Sequence, residues 1–246
     1  MTSRRRALAA GALLLAVANA AAAAQAPQRL TREAVLARIA AATAERPPSF
    51  AGDTLDGLDL SHVDFHRARM HGTRLERTNL GGAQLFSADL DSAVLRHADL
   101  TGATLDVAVL RGADLTGATL RHASLYATIM NGADLTDADL TDARVIGVLA
   151  NATLVRATLV RTNFGADPGN QPMGLMHTDL TAADLTGANL EGADLRKVTF
   201  VRANLTDANV AGADLRGALL TGVRGRERLR GLALARNADR ATFDAP

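Results

Sequence analysis

Aromatic side chains and thiol groups are scarce in this 246-residue chain, which has no Cys, no Trp, one Tyr and six Phe. Without Cys, disulfide bonds, thiolate zinc sites and Cys nucleophiles are all excluded. Hydrophobic residues nevertheless make up 48% of the sequence, and most of them are Leu and Ala. This composition favours a narrow core that takes one large and one small side chain from each structural element.

Neither sign of charge is in excess, because 27 Lys and Arg oppose 26 Asp and Glu and the formal net charge is +1. Removal of residues 1–24, which hold three Arg and no acidic residue, would change the net charge to −2. A protein that binds nucleic acid needs a basic surface. The near-neutral balance therefore argues against a nucleic-acid partner.

The N-terminal segment has the pattern of an export signal. Three consecutive Arg (4–6) precede an apolar run from Ala7 to Ala18, and small residues follow. We predict a signal peptide of residues 1–24, cleaved after Ala20 or Ala24, and a periplasmic or secreted protein with no membrane span after cleavage. The alternative is an uncleaved membrane anchor, which the short, Ala-rich run does not favour.

A five-residue period runs through most of the chain. Leu or an equivalent apolar residue occupies every fifth position from Leu55 to Val145, and the residue two places earlier is almost always small, usually Ala. In the unit Ala113–Gly117, Leu115 holds the position that we call the centre. Steps of five advance about 140° beyond a full turn on a helix and alternate faces on a strand. The period instead predicts short extended sides joined by corners, with every centre in one interior.

These units resemble the A(D/N)LXX repeats of the pentapeptide repeat family, and the resemblance extends from Leu55 to about Leu220. It implies an all-β fold, a right-handed quadrilateral β-helix with one unit on each side. Roughly thirty units correspond to about eight coils. At a strand spacing of ~4.8 Å, the coils would form a rod ~40 Å long.

The segments outside the repeat predict end caps. Residues 25–50 form a linker and a short N-terminal capping helix, Thr31–Arg46, which Pro47 and Pro48 terminate. The repeat domain spans residues 51–223, and the Arg-rich residues 224–246 break the repeat and form a C-terminal cap or tail. A free recognition helix at the first end and dimerisation at the second are the alternatives.

The repeat lapses between Phe164 and Leu180. Gly, Pro and Asn concentrate there, which predicts a loop over residues 165–176 that projects from one corner. Met173 and Met176 are its predicted contact residues, because Met side chains adapt to a partner. An inert insertion is the alternative.

The sequence offers no catalytic or cofactor-binding group. His62, His66 and His71 lie close together, but they fall on different sides and corners of the repeat and should not share a metal ion. Asp directly before a centre belongs to the repeat pattern. The Gly-Gly-x-Gly-x-Asp pattern of calcium-binding β-rolls is absent. We therefore predict a protein without cofactor, metal or enzymatic activity.

Apolar residues at outward positions suggest an interaction surface. A step of twenty residues aligns several of them beside one corner, and Val148 or Leu149 joins them where the phase of the repeat shifts near Gly147. Large exposed apolar patches usually mark interfaces. The predicted interaction patch consists of Phe86, Val107, Val109, Tyr126, Ile129 and Ile146, and its expected partner is an unidentified protein or a second copy of the chain.

The sequence thus predicts an exported, non-enzymatic pentapeptide repeat protein that acts as a rigid scaffold for protein–protein interaction in the periplasm or cell envelope. The resemblance implies one alternative, since acidic members of the family imitate DNA, bind DNA gyrase and protect it from quinolones. The export signal and the near-neutral charge argue against that alternative.

Overall fold

Four ladders of parallel β-bridges organise the computed structural model, which describes residues 27–165 and 177–244. In each ladder, the residue before a centre bridges the residue twenty positions along the chain. Asp114, for example, bridges both Val94 and Asp134. Four units therefore complete one coil, and each coil pairs with the coil on either side. This arrangement is the repeat solenoid that the five-residue period predicts.

Most bridges are isolated, and regular elements are few and short. In the described ranges they are α1 (Arg32–Ala40), β1 (Ser124–Ile129), β2 (Arg144–Val148), β3 (Leu219–Leu220), the 3₁₀ turns Arg226–Arg228, Leu232–Leu234 and Ala238–Arg240, and β4 (Thr242–Phe243). Strands β1 and β2 pair in parallel, as do β3 and β4. No helix in this part of the chain has the length and apolarity needed to cross a membrane.

The backbone of each unit bonds to both neighbouring coils. The amide of Leu115 donates to the carbonyl of Asp134 (2.7 Å), and the amide of Asp114 donates to the carbonyl of Ala93 (2.9 Å). The corner closes where the amide of Ala118 donates to the carbonyl of Leu115 (2.9 Å). Because every coil relies on its neighbours, stability is approximately a sum of coil–coil contacts.

The core consists of the centres and the small residues two places before them. Leu115 and Ala113 are fully buried. Thr73 and Thr78 replace the small residue in two units, and their hydroxyl groups donate to the carbonyls of the centres Phe50 (2.7 Å) and Leu55 (2.9 Å) in the preceding coil. Phe50 is itself a buried centre, one unit before the predicted start of the repeat.

Helix α1 is shorter than the predicted Thr31–Arg46. Thr31 caps its start, since the Thr31 hydroxyl accepts the Ala34 amide (3.3 Å). The helix ends at Ala40, and Thr43 and Arg46 then exchange backbone hydrogen bonds of 3.1 Å in a separate turn. The helix therefore ends before this turn and does not extend to Pro47 and Pro48.

One buried residue and two Arg side chains hold α1 on the solenoid, and the first of these, Arg32, donates to the carbonyl of Asp59. Val35 is completely buried against the core. The Arg38 guanidinium donates to the carboxylate of Asp53 and to the carbonyl of Ser49 (2.8 Å). The helix therefore packs on the N-terminal end of the solenoid.

One side of the solenoid has four residues instead of five, and it lies between the centres Val145 and Leu149. Across it, the pairing of β1 with β2 skips Ala127, so that Tyr126 pairs with Ile146 and Thr128 with Gly147. The ladders beyond this point shift by one residue, as in the bridge between Asp134 and Thr153. The shortened side tightens the corner and brings its residues closer to the core.

The C-terminal segment continues the coil with a longer unit. Arg224, Arg230, Arg236 and Thr242, six residues apart, bridge the preceding coil in order. The small or apolar residues just before them pack against the core as the Ala positions do elsewhere: Val223, Leu229, Ala235 and Ala241. Within the described residues to 244 the period changes from five to six, so this segment departs from the five-residue repeat but continues the coil.

Candidate interaction surface

Six apolar side chains meet at one corner of the solenoid. Phe86 and Tyr126 directly follow the centres Leu85 and Leu125, and Val107 lies two residues after a centre. On the adjoining side, consecutive bridges stack three further residues that each precede a centre. We call this set the apolar corner: Phe86, Val107, Val109, Tyr126, Ile129 and Val148.

The apolar corner contains half of the exposed large hydrophobic residues found in the described ranges. Phe86 is 40% exposed, Val107 43% and Val148 38%, whereas Val109, Tyr126 and Ile129 are partly exposed. The other three are Leu36, in α1, and Leu219 and Leu234, near the C-terminal end. The corner is therefore the main place where the middle of the solenoid presents apolar surface to solvent.

Neighbouring side chains hold the two aromatic rings of the corner. His66 stacks on Phe86 with ring centroids 5.6 Å apart. The Arg144 guanidinium lies 4.4 Å from the centroid of the Tyr126 ring, within the range of a cation–π interaction. The carboxylate of Asp106 accepts the amide of Tyr126 (2.9 Å) and so fixes the backbone beneath it. The rings are ordered before any partner binds, which lowers the entropy cost of binding.

Val107 has a backbone conformation that is unusual for its side chain. Its φ is +62°, in the left-handed region, where β-branched residues are rare. The equivalent positions in other units hold mostly Gly, Asp, Asn, Ser, His or Arg. Such strain costs of order 1–3 kcal/mol and tends to occur at functional sites. An exposed Val at this position therefore lowers stability without filling the core.

The structure overturns one residue of the predicted patch. Ile146 is only 1% exposed and does not face outward. The cause is the four-residue side: with Ala127 left out of the pairing, Ile146 and Gly147 are drawn toward Tyr126 and Thr128. The same shift decides which of Val148 and Leu149 faces outward. Val148 is exposed to solvent, and Leu149 is buried.

The predicted loop contact lies outside the described residues. Met173 and Met176 belong to residues 166–176, for which the structure gives no account. The ends of that segment, Gly165 and His177, lie between a bridge at Asn163 and a bridge at Asp179. Those bridges belong to the two sides that meet at the apolar corner, so Gly165 and His177 lie at the same corner.

The histidines occupy separate positions along the surface. The His62 and His97 rings lie over Gly82 and Gly117 of the following coil, where an added Cβ would come within 2.5 Å of each Nδ1. His66 lies beside Asp64, with Nδ1 2.5 Å from a carboxylate oxygen. Among the residues that the structure describes, no three His, Asp or Glu side chains are arranged to hold a metal ion.

Carboxylates on the outer surface pair with Arg side chains from the adjacent coil. Arg156 binds Asp137 (2.6 Å) and Arg161 binds Asp142 (2.7 Å), each with two nitrogen atoms. Hydrogen bonds from these guanidinium groups lower the pKa of both carboxyl groups. The pairs were not predicted, although an alignment of coils at twenty-residue steps would have revealed them.

Asp114 and Asp134 stack on adjacent coils, as the repeat predicts. Arg111 binds Asp91 (3.4 Å), and Arg96 neutralises Asp114. Burial alone would raise the pKa of Asp114, but hydrogen bonds from Thr116 and the charge of Arg96 lower it overall. Asp114 therefore remains ionised at neutral pH.

These lowered pKa values predict acid sensitivity. A carboxyl group with a depressed pKa stabilises the folded state fully above its unfolded pKa, near 3.8, and that stabilisation disappears as the pH falls through the lower folded pKa. We expect the urea midpoint to decrease from about pH 4 downward, and less steeply in the double variant Arg156→Gln/Arg161→Gln. Arg202→Gln, which removes a cation outside these pairs, is the control and should keep the wild-type slope. An equal slope in all three proteins would contradict the assignment.

The sequence model of pentapeptide repeats matches this chain in eight copies, over residues 50–82, 78–117, 88–125, 108–142, 120–148 and 183–222. Together the matches cover more than half of the chain. The chain belongs to the pentapeptide repeat family. The predicted resemblance is thus confirmed, and the five-residue period of the sequence is the repeat of this family. No curated protein matches this pentapeptide repeat protein.

Several solved structures are similar to it. HetL, a pentapeptide repeat protein involved in heterocyst differentiation regulation from the cyanobacterium Nostoc, is 27% identical over 87% of this chain and 94% of its own, with a TM-score of 0.44. Rfr23 from the cyanobacterium Cyanothece is 34% identical over 45% and 64%, with a TM-score of 0.25. Full-length QnrB1, a plasmid-mediated fluoroquinolone resistance protein, is 18% identical over 79% and 85%, with a TM-score of 0.29. At these TM-scores, none of the three supports a functional argument.

Proposed function

We propose that this pentapeptide repeat protein is exported and acts without enzymatic activity, as a rigid scaffold whose apolar corner binds a protein partner in the periplasm or cell envelope. The proposal includes the finer form of the fold, a right-handed quadrilateral β-helix of about eight coils. The four bridge ladders and the step of twenty residues support that form. The N-terminal Arg cluster and apolar run support export.

The apolar corner is the observation that carries the proposal. Its side chains occupy consecutive rungs of the ladder, so at ~4.8 Å per rung they form a strip ~14 Å long. The strained backbone of Val107 supports the proposal as well, because Gly or Asn at this corner would make the solenoid more stable. The six residues of the strip are far fewer than the roughly 20–30 residues that each partner contributes to a stable dimer interface. The strip suits a short segment of another protein better than a second whole copy.

Replacement of Val107 should raise the stability of the protein and weaken its binding to the partner. Val107→Asn places a residue that tolerates positive φ at the corner, so we expect a gain of about 1 kcal/mol in the free energy of unfolding. The same change removes an exposed apolar side chain and should reduce recovery of the partner in affinity capture from the periplasmic fraction. Ser87→Asn, at the equivalent position one coil earlier (φ +58°), is the matched control and should change neither quantity appreciably.

A second variant tests the rest of the corner. Tyr126→Asp/Ile129→Asp adds two charges to the strip, and both side chains are only partly buried. We expect near-native stability and loss of the proteins that the wild type recovers. Unchanged recovery and unchanged mass in size-exclusion chromatography for both variants would refute the proposal.

The gyrase-binding alternative is tested with the same preparation. We expect no effect on supercoiling by DNA gyrase, since Arg side chains neutralise many of the outer carboxylates, as at Asp137 and Asp142. Protection of gyrase from a quinolone, together with an intact Met1 in cytoplasmic protein, would favour the alternative instead.

A further inference from the structure

The last coil, residues 219–244, carries a charge opposite to that of the rest of the solenoid; we call it the C-terminal coil. Residues 25–218 hold 18 Lys or Arg and 23 Asp or Glu, a net charge of −5. Residues 219–246 hold six Arg and three acidic residues, a net charge of +3. The C-terminal end of the molecule therefore carries a net positive charge.

The arginines of the C-terminal coil belong to a single rung. Arg224, Arg230 and Arg236 bridge the preceding coil at successive sides, and Thr242 bridges the fourth. One coil rises by about one strand spacing, ~4.8 Å. All six Arg side chains are exposed: Arg224, Arg226, Arg228, Arg230, Arg236 and Arg240. Arg228 pairs with the carboxylate of Asp207 in the preceding coil. Arg230 and Arg236 each donate to a backbone carbonyl of that coil. The six exposed side chains, which we call the Arg ring, therefore surround the C-terminal end of the solenoid.

Apolar side chains lie within the same ring. Leu234 is 71% exposed, more than any other large hydrophobic residue in the described ranges, and it ends the 3₁₀ turn Leu232–Leu234. Leu219, which Thr242 bridges from the next rung, is 40% exposed. The Arg226 guanidinium lies 4.3 Å from the centroid of the Phe243 ring. A soluble polyanion would leave the leucines in water, whereas a bilayer interface accepts cationic and apolar groups together.

We propose that the C-terminal coil docks flat on a bilayer that contains anionic lipids, with the Arg ring on the headgroup phosphates and Leu234 inserted at the interface. Charge complementarity favours this occupant over a second copy placed end to end, because two such coils repel each other. The other end of the chain is also basic, since residues 25–50 hold four Arg and two Glu. The inference does not depend on the apolar corner.

The test measures co-sedimentation with phosphatidylcholine vesicles, with and without phosphatidylglycerol. All proteins are expressed with the native N-terminal segment and purified after any processing by the cell, so that they share the same N-terminus. We expect the wild type to bind only the vesicles with phosphatidylglycerol, and to dissociate at high salt, because screening weakens surface charge. Arg224→Glu/Arg240→Glu should weaken binding at least about tenfold, and Leu234→Asp about tenfold.

Arg67→Glu/Arg69→Glu is the matched control, with the same change in net charge near the other end of the solenoid, and it should bind as the wild type does. Equal weakening by this control would show that only net charge matters and would overturn the proposal. Failure of the wild type to bind vesicles would also overturn it. The proposal would also be overturned if the wild type and Leu234→Asp bound a polyglutamate peptide equally well, because that result would indicate an acidic protein partner. Sedimentation velocity would also overturn the proposal if the wild type self-associated and Arg224→Glu/Arg240→Glu did not. The C-terminal coil would then bind the acidic side of a second copy of the chain.

Discussion

Leu115→Asp should prevent stable folding, and Leu115→Ala should lower the free energy of unfolding by ~2–5 kcal/mol. Leu115 is fully buried, and its neighbours along the axis are the centres of adjacent coils. A carboxylate at this position would have no hydrogen-bond donor free to bind it and would cost several kcal/mol even after a pKa shift. Urea denaturation of Leu115→Ala and expression of Leu115→Asp check the two effects.

Thr116→Ser is the control for Leu115. The Thr116 side chain lies outward and bonds with Asp114, and Ser retains that hydroxyl group. We expect a change within about 0.5 kcal/mol. If Thr116→Ser destabilised the protein as much as Leu115→Ala does, the assignment of inward and outward positions would be wrong.

Gly147→Ala should destabilise the solenoid strongly. An added Cβ would lie 2.3 Å from the carbonyl oxygen of Thr128, 2.8 Å from its hydroxyl oxygen and 3.0 Å from its amide nitrogen. Two of these atoms are backbone, so no side-chain rotation relieves the contact. The four-residue side would have to open, which we expect to cost about 3 kcal/mol. The measurement is the urea midpoint, together with the exposure of Tyr126 by fluorescence quenching.

Gly102→Ala separates this steric effect from backbone strain. Gly102 has a φ of +65°, but an added Cβ would meet no atom within 4 Å. Its replacement should cost only the ~1–2 kcal/mol of a left-handed Ala. Equal costs for Gly102→Ala and Gly147→Ala would mean that the close approach of Gly147 to Thr128 does not exist.

The regular part of the solenoid could be predicted from the sequence because a single rule governs it. A five-residue unit with one large and one small apolar residue has one arrangement that buries both, and Leu115 and Ala113 lie where that rule places them. The resemblance to the family then fixed the number of sides. Five of the six predicted patch residues also remain at the surface, since they are defined by their distance from a centre.

The failures occur where the unit changes length. Ile146 was misplaced because a single missing residue moves every following position, and local hydrophobicity does not show on which side of a corner the deletion falls. The six-residue units of the C-terminal coil were missed because Ala235 and Ala241 are weak signals. The recurrence of Arg followed by Gly or Asn at Arg224, Arg230 and Arg236 was the available indication.

Cysteine accessibility tests the inward and outward assignment most directly, because the natural chain contains no Cys. Single substitutions to Cys at every position from Ala113 to Leu125, followed by maleimide labelling of the folded protein, would map exposure residue by residue. We predict protection at the centres Leu115, Leu120 and Leu125 and at the small positions Ala113, Ala118 and Ala123, with labelling between them. Protection that repeats every two residues, or every three to four, would contradict the solenoid.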